Sequence, residues 1–284
     1  MAGRLLVYGT VAVSTLFYAA WPTSEAVVAH SPISDITLVA HAGGGLPGAT
    51  YSNSRESLDS SERFGIDLIE VDIELTESGD LVLLHGWEDS HYRYFSKVPR
   101  LPQAMRGPWP ERAGTAEEFT SRRMRQGLTP MSGQDLMLWM DAHPHVRIIT
   151  DTKGDNMDVL TRLATSADSE KLSRIIPQIY GLAEADAVTK LGYRSIILTA
   201  YKSPLPLPDL LAAARDMELF ALTIPWQRLA DFENGRLPDD VTVFAHTVND
   251  VELAQSLVSK GVDGVYTDYL VPEPLRQTAQ KTVH

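Results

Sequence analysis

Apolar and polar positions along this chain change period repeatedly. Short runs dominated by Val, Ile and Leu alternate with longer stretches in which apolar residues return every three or four positions. The first pattern predicts buried β-strands and the second amphipathic helices. Strand-like runs cover residues 36–41, 68–75, 146–152, 175–180, 195–199, 219–224, 241–246 and 262–267. Helical stretches cover 55–64, 133–142, 157–164, 184–191, 208–216 and 251–260, the last preceded by Asp250 as a cap. Strand followed by helix, repeated around the chain, predicts an α/β fold with a closed parallel sheet, a (β/α)8 TIM barrel. A doubly wound open sheet is the alternative. No glycine fingerprint follows the first strand at dinucleotide-binding spacing, so that fold's usual ligand is unsupported.

Three segments break the regular alternation. The run 81–85 follows the turn Glu77-Ser78-Gly79-Asp80 and reads as a short β-hairpin with the strand at 68–75. Residues 87–127 contain Tyr92, Tyr94, Phe95 and a proline-rich patch, an irregular insertion expected to cover the barrel mouth as a lid. At the start, Arg4 precedes an apolar run from Leu5 to Trp21, and Pro22 ends it before Ser24-Glu25-Ala26. This layout predicts a secretory signal peptide, with an uncleaved membrane anchor as its rival. The expected organisation is therefore 1–26 for export, to the periplasm, envelope or exterior, and 27–284 as one barrel domain.

The strand 68–75 carries the most informative chemistry. Ile69, Val71 and Ile73 alternate with Glu70, Asp72 and Glu74, so Glu70 and Asp72 share a face. Like charges on a mostly buried strand need a cation, hydrogen-bond donors or a retained proton. Other polar residues fall at predicted strand ends, where barrel enzymes collect their reactive groups: His41, His85, Asp151, Lys153 and His246. Glu70, Asp72 and Asp151 offer three hard oxygen ligands, suited to one divalent cation, Mg²⁺ or Ca²⁺. His41 and His85 are then free for paired proton transfer, and Lys153 can neutralise a phosphate. His246 is read as a leaving-group or phosphate contact, or as a structural hydrogen bonder.

Weaker positions divide more evenly. Asn53 reads as the cap of the helix near Arg55 in preference to a brace for the first loop. Gln178, Tyr180 and Tyr201 read equally as pocket lining or as core and rim. Trp87 and Trp109 are either an apolar wall or lid packing, and Gly43 to Gly45 either a phosphate approach or a tight turn.

Composition removes several function classes. The formal net charge is -12, a poor match for nucleic acid, so no nucleic-acid partner is expected. Without cysteine there is no disulfide, thiol nucleophile or zinc–cysteine site. Hydrophobic residues make up 44%, enough for a sizeable core.

In motif order the chain resembles the glycerophosphodiester phosphodiesterase family of the phospholipase C-like phosphodiesterase superfamily. The resemblance rests on Ala40-His41-Ala42-Gly43-Gly44, Asn53, Gly65-Ile66-Asp67-Leu68-Ile69-Glu70-Val71-Asp72, Leu84-His85, Thr129-Pro130-Met131, Asp151-Thr152-Lys153, Thr247-Val248-Asn249-Asp250 and Gly261-Val262-Asp263-Gly264-Val265-Tyr266-Thr267-Asp268. It implies a TIM barrel and metal-dependent hydrolysis of a glycerophosphodiester or related lipid head-group diester, by two histidines and through a cyclic phosphate. The chain departs from the family pattern at Ala42 (family Arg), Ser52 (Glu), Gly86 (Asp), Asp151 (Glu) and His246 (often Trp). Asp151-x-Lys153 and His85-Gly86 are similar to sphingomyelinase D enzymes. The alternatives are thus a phospholipase D-type lyase on intact phospholipid, associating with membrane through its substrate or N-terminal segment, or an inactive barrel that binds a phosphorylated ligand.

Overall fold

The structure is a computed structural model that describes residues 30–96, 112–201, 203–231 and 235–273. The export segment, the proposed boundary near residue 26 and Trp109 lie outside the described residues. In chain order the elements are β1 (Ser31–Ile33), β2 (Thr37–Ala40), α1 (Arg55–Arg63), β3 (Leu68–Leu75), β4 (Leu81–Leu83), α2 (Trp87–Ser90) and α3 (Ala116–Ser121). There follow α4 (Gly133–Ala142), β5 (Arg147–Thr152), α5 (Asn156–Ser166), α6 (Ser169–Arg174), β6 (Ile175–Ile179), α7 (Ala185–Lys190) and β7 (Ile197–Thr199). The remainder is α8 (Leu207–Asp216), β8 (Ala221–Pro225), β9 (Val243–His246), α9 (Val251–Ser259), β10 (Gly264–Thr267) and β11 (Leu270–Pro272).

The parallel strands run in spatial order β2, β10, β9, β8, β7, β6, β5, β3, and β2 pairs with β3 to close the ring. That closure decides for the (β/α)8 barrel and against the open doubly wound sheet. All eight expected strands form, though most start one or two residues later than the apolar runs do. β4 pairs antiparallel with the end of β3, Ile73 opposite Leu83, which is the expected hairpin.

Alternation on the strands builds two cores. Val39, Ile149, Ile176, Ile197, Ala221, Phe244 and Tyr266 come from seven different barrel strands and fill the barrel interior. Ile69, Val71 and Ile73, each at most 1% exposed, point the opposite way, into the shell beneath the helices. Burying each such side chain contributes about 1.5–3 kcal/mol, which fixes the strand's facing and forces Glu70 and Asp72 inward.

The helices begin where polar caps stand before them. Ser54 caps α1 by accepting from the Ser57 amide, Ser132 and Asp135 form a capping box on α4, and Asp250 caps α9 as expected. The cap of α1 is therefore Ser54 and not Asn53, whose side chain is used elsewhere. The insertion after β4 is less irregular than expected. α2 runs into a π-helical turn over residues 91–95, and α3 follows, while residues 97–111 are outside the described residues. Trp87 packs inward against Phe119 and donates from Nε1 to the Leu75 carbonyl at 3.2 Å, so it is packing and not a pocket wall. Among the described residues no helix is long and apolar enough to cross a membrane.

Candidate active site

Register in the barrel brings the acidic residues together. Asp72 on β3 lies opposite Asp151 on β5, and Glu70 is two residues earlier on the same face as Asp72. Oxygens of Glu70, Asp72 and Asp151 all lie within 4.8 Å of one another. Glu70 Oε2 accepts from the Ala42 amide at 2.7 Å, while Glu70 Oε1 is buried with no hydrogen-bond partner among the described residues. Burial, then the charges of Asp72 and Asp151, push the Glu70 carboxyl well above the usual carboxylate range. An orphaned carboxylate oxygen in a cluster of three acids fits a hard divalent cation, and an all-oxygen donor set fits it to Mg²⁺ or Ca²⁺ chemistry.

Two side chains hold the cluster in place. Asn53 is wholly buried; its Nδ2 donates to Asp72 Oδ2 at 2.9 Å and its Oδ1 accepts from the Asp72 amide at 2.9 Å. The Tyr180 hydroxyl donates to Asp151, which makes it a brace for that carboxylate. Lys153 also lies against the acids: its Nζ is 2.5 Å from Asp151 Oδ2 and 3.3 Å from Asp72 Oδ1. Burial alone would lower the Lys153 ammonium, but Asp72 and Asp151 outweigh it and hold it above the ordinary lysine value. Burial would raise the Asp151 carboxyl, yet Lys153 and its hydrogen bonds keep it below the usual range. Lys153 thus balances carboxylates in this arrangement, where the sequence had offered it to a phosphate.

Both expected histidines flank the cluster, and each has an aspartate behind it. His41 Nδ1 is 3.0 Å from Asp268 Oδ1. Asp268 is itself held by Asn249, whose Nδ2 donates to Asp268 Oδ2 at 2.8 Å and whose Oδ1 accepts from the Asp268 amide at 2.7 Å. His85 Nδ1 is 3.2 Å from Asp89 Oδ2, which also accepts from Arg93 Nε at 2.6 Å. An aspartate on Nδ1 fixes the tautomer and leaves Nε2 for proton transfer. The ring of Tyr51 stands between the histidines, with centroids 4.5 Å from His41 and 4.7 Å from His85.

His246 lines the same cavity of about 210 Å³ as His41, His85, Glu70, Asp151 and Lys153. Burial, then the neighbouring His41, lower its imidazole to about 4, and its Nε2 is buried without a partner among the described residues. It is therefore a neutral ring, bounded by Tyr201 and Tyr266 at 6.1 and 6.3 Å. Gln178 and Tyr201 also line the cavity. Gly43 and Gly44 have φ of 86° and 95°, and a Cβ on either would fall within 2.4 Å of a serine hydroxyl of α1. They serve close turn-to-helix packing, the tight-turn reading.

Sequence reasoning gave no role to Asp268, Asn249, Asp89 or Tyr51. Asn249 and Asp268 do sit in the two C-terminal motif runs, within three residues of strand ends, which was the available signal. Nothing local marked Tyr51 or Asp89.

No protein-family model matches the chain, and no curated protein matches it at a significant level. Solved structures do match, 38 chains in all. A Galdieria sulphuraria protein assigned to the glycerophosphodiester phosphodiesterases superposes with TM-score 0.63 at 17% identity, covering 83% of this chain and 96% of its own. The glycerophosphodiester phosphodiesterase of Thermotoga maritima gives 0.60 at 16%, with 84% and 96% covered. An Oleispira antarctica phosphodiesterase, solved with its product sn-glycerol-3-phosphate, gives 0.55 at 18%, with 82% and 93% covered. What they share with this chain at such identities is the barrel fold.

Proposed function

We propose that this chain is a phosphoric diester hydrolase of the glycerophosphodiester phosphodiesterase type, assisted by one divalent cation. The observation that carries the reading is the acidic cluster with its orphaned Glu70 Oε1, flanked by two histidines that are each backed by an aspartate. The fold shared with solved phosphodiesterases and the motif order support it. A binding-only barrel has no use for two imidazoles aligned in this way around a cation site.

Glu70, Asp72 and Asp151 would hold the cation. Bound there, it supplies Lewis-acid neutralisation of a phosphate oxygen. The rest follows from the chain's own groups. One histidine takes the proton of a hydroxyl neighbouring the phosphate in the substrate, and that oxygen bonds to phosphorus. The other histidine gives its proton to the alcohol oxygen as the bond from phosphorus to that oxygen breaks. A cyclic phosphate results, and water opens it with the two proton roles reversed. Asp268 and Asp89 hold each imidazole in register through its Nδ1. His246, neutral and half-buried, faces the substrate as a ring and not as a cation.

Export through residues 1–26 rests on their sequence alone. It would place the enzyme where phospholipid breakdown products and lipid surfaces are both accessible. The experiment is a screen of glycerophosphodiesters and intact phospholipid vesicles with added Mg²⁺ or Ca²⁺, followed by phosphorus NMR. Turnover of deacylated diesters supports the proposal; head-group release from vesicles alone would assign the lyase alternative; no turnover of either under any cation would refute catalysis.

A further inference from the structure

An anionic phosphate entering this cavity meets carboxylates on one side, and most nearby donors are already engaged. Lys153 Nζ is shared between Asp151 and Asp72. The Ala42 amide is taken by Glu70, and Ala42 has no polar side chain to offer. His41 and His85 have their Nδ1 atoms on aspartates. The group placed against both histidines and still uncommitted is the phenol of Tyr51. Its ring is perpendicular to both imidazoles, at 80° and 72°, and the Arg93 guanidinium lies over it at 5.0 Å. Its hydroxyl has no hydrogen-bond partner among the described residues. Tyr51 also lines the cavity alongside Glu70 and Lys153.

The backbone is shaped for this placement. Tyr51 has φ of 61° and Asn53 φ of 50°, in the left-handed region that non-glycine residues seldom occupy. Those two reversals send Asn53 onto Asp72 and Tyr51 between the histidines. A bulky residue held in that region is a pointer to function. Burial and the nearby Asp268 raise the phenol above its ordinary value, so it stays a donor across the working pH range.

We propose that the Tyr51 hydroxyl donates a hydrogen bond to a non-bridging phosphate oxygen of the bound diester, making it a substrate-contacting residue of this site. The inference rests on the phosphodiesterase reading above. A ring that merely spaced the histidines would do so equally well without its oxygen.

Tyr51→Phe separates the two roles, because it keeps the ring and removes the donor. Binding of inorganic phosphate to the Mg²⁺-loaded protein is followed by calorimetry, and KM and kcat are measured on the best diester. The expected result is a loss of phosphate affinity and a rise in KM of about 10- to 150-fold, the range for a hydrogen bond to a charged group, with kcat changed much less. Circular dichroism and the thermal midpoint should match the parent protein. Unchanged phosphate affinity and KM in an active Tyr51→Phe protein would overturn the proposal and leave the phosphodiesterase reading intact. A fall in kcat alone, with a displaced pH profile, would also overturn it and make Tyr51 a positioning residue for the histidines. A parent protein that neither binds phosphate nor turns over diester would overturn both readings together.

Discussion

Asn53 and Asp72 grip each other through two hydrogen bonds, amide to carboxylate and backbone amide to side-chain carbonyl, both 2.9 Å long. Asn249 and Asp268 repeat the same pair of bonds on the far side of the site, at 2.8 and 2.7 Å. One clamp holds an acid of the proposed cation site; the other holds the acid behind His41. In both, a neutral side chain satisfies an aspartate in a place where an unpartnered charge would be expensive to bury.

Asn53→Ala should therefore weaken the protein and the cation site together. Removing two bonds to a buried carboxylate and its amide costs about 2–3 kcal/mol of stability. Divalent cation affinity should fall by about 10- to 100-fold, as it does when a ligand loses its outer support. Urea unfolding and a cation titration check both; an affinity equal to that of the parent would remove Asn53 from the site.

Replacing either histidine should stop turnover with the fold intact. His41→Ala and His85→Ala are each expected to lower kcat by about 10²- to 10⁴-fold. Asp268→Asn, which leaves a hydrogen-bond acceptor but removes the charge behind His41, should lower kcat by about 10²-fold with KM little changed. Steady-state kinetics on all three, beside their circular dichroism spectra, tests the assignment. Parental kcat in either histidine variant refutes its role.

Glu70→Gln should act in two opposite directions. The carboxyl is buried beside two other acids and resists ionisation, so a neutral amide of the same shape should stabilise the cation-free protein at neutral pH. The same change should abolish stabilisation by Mg²⁺ or Ca²⁺, which in the parent amounts to about 2.7 kcal/mol at a hundredfold excess over Kd. Thermal melts with chelator and with cation distinguish the two effects. A full cation response in Glu70→Gln would exclude Glu70 as a ligand.

His246 predicts an acid-side loss of stability. Its imidazole titrates near 4 in the folded chain and near the ordinary histidine value of about 6.5 when unfolded. Between those values the unfolded chain binds a proton that the folded chain refuses. The contribution of neutral His246 is thus complete above about pH 6.5 and is lost as the pH falls towards 4. In chelator-treated protein, unfolding free energies measured across that window should decline less steeply for His246→Gln than for the parent. Parallel curves would show that His246 does not titrate in this way.

Much of this molecule is written locally. Period-two alternation around Glu70 and Asp72, set by the burial of Ile69, Val71 and Ile73, places both acids on one face whatever the rest of the chain does. The order of strands and helices dictates a parallel sheet with polar groups at its strand ends, and an all-oxygen acidic set would suit a hard cation. That His41, His85, Glu70, Asp72, Asp151, Lys153 and His246 gather at one end of the barrel was legible for that reason. Other relationships needed the closed barrel. Asp151 meets Asp72 only through the register between β3 and β5. His41 meets Asp268 only because the ring closes β10 against β2, bringing together residues 227 positions apart. Asn53 looked like a helix cap because capping is a local preference that Asn and Ser share, and Ser54 takes the cap once left-handed turns at 51 and 53 carry Asn53 inward. Residue type and spacing determine which face a group occupies; partners across a closed sheet, and the turns that aim Tyr51 and Asn53, depend on contacts that no window of sequence contains.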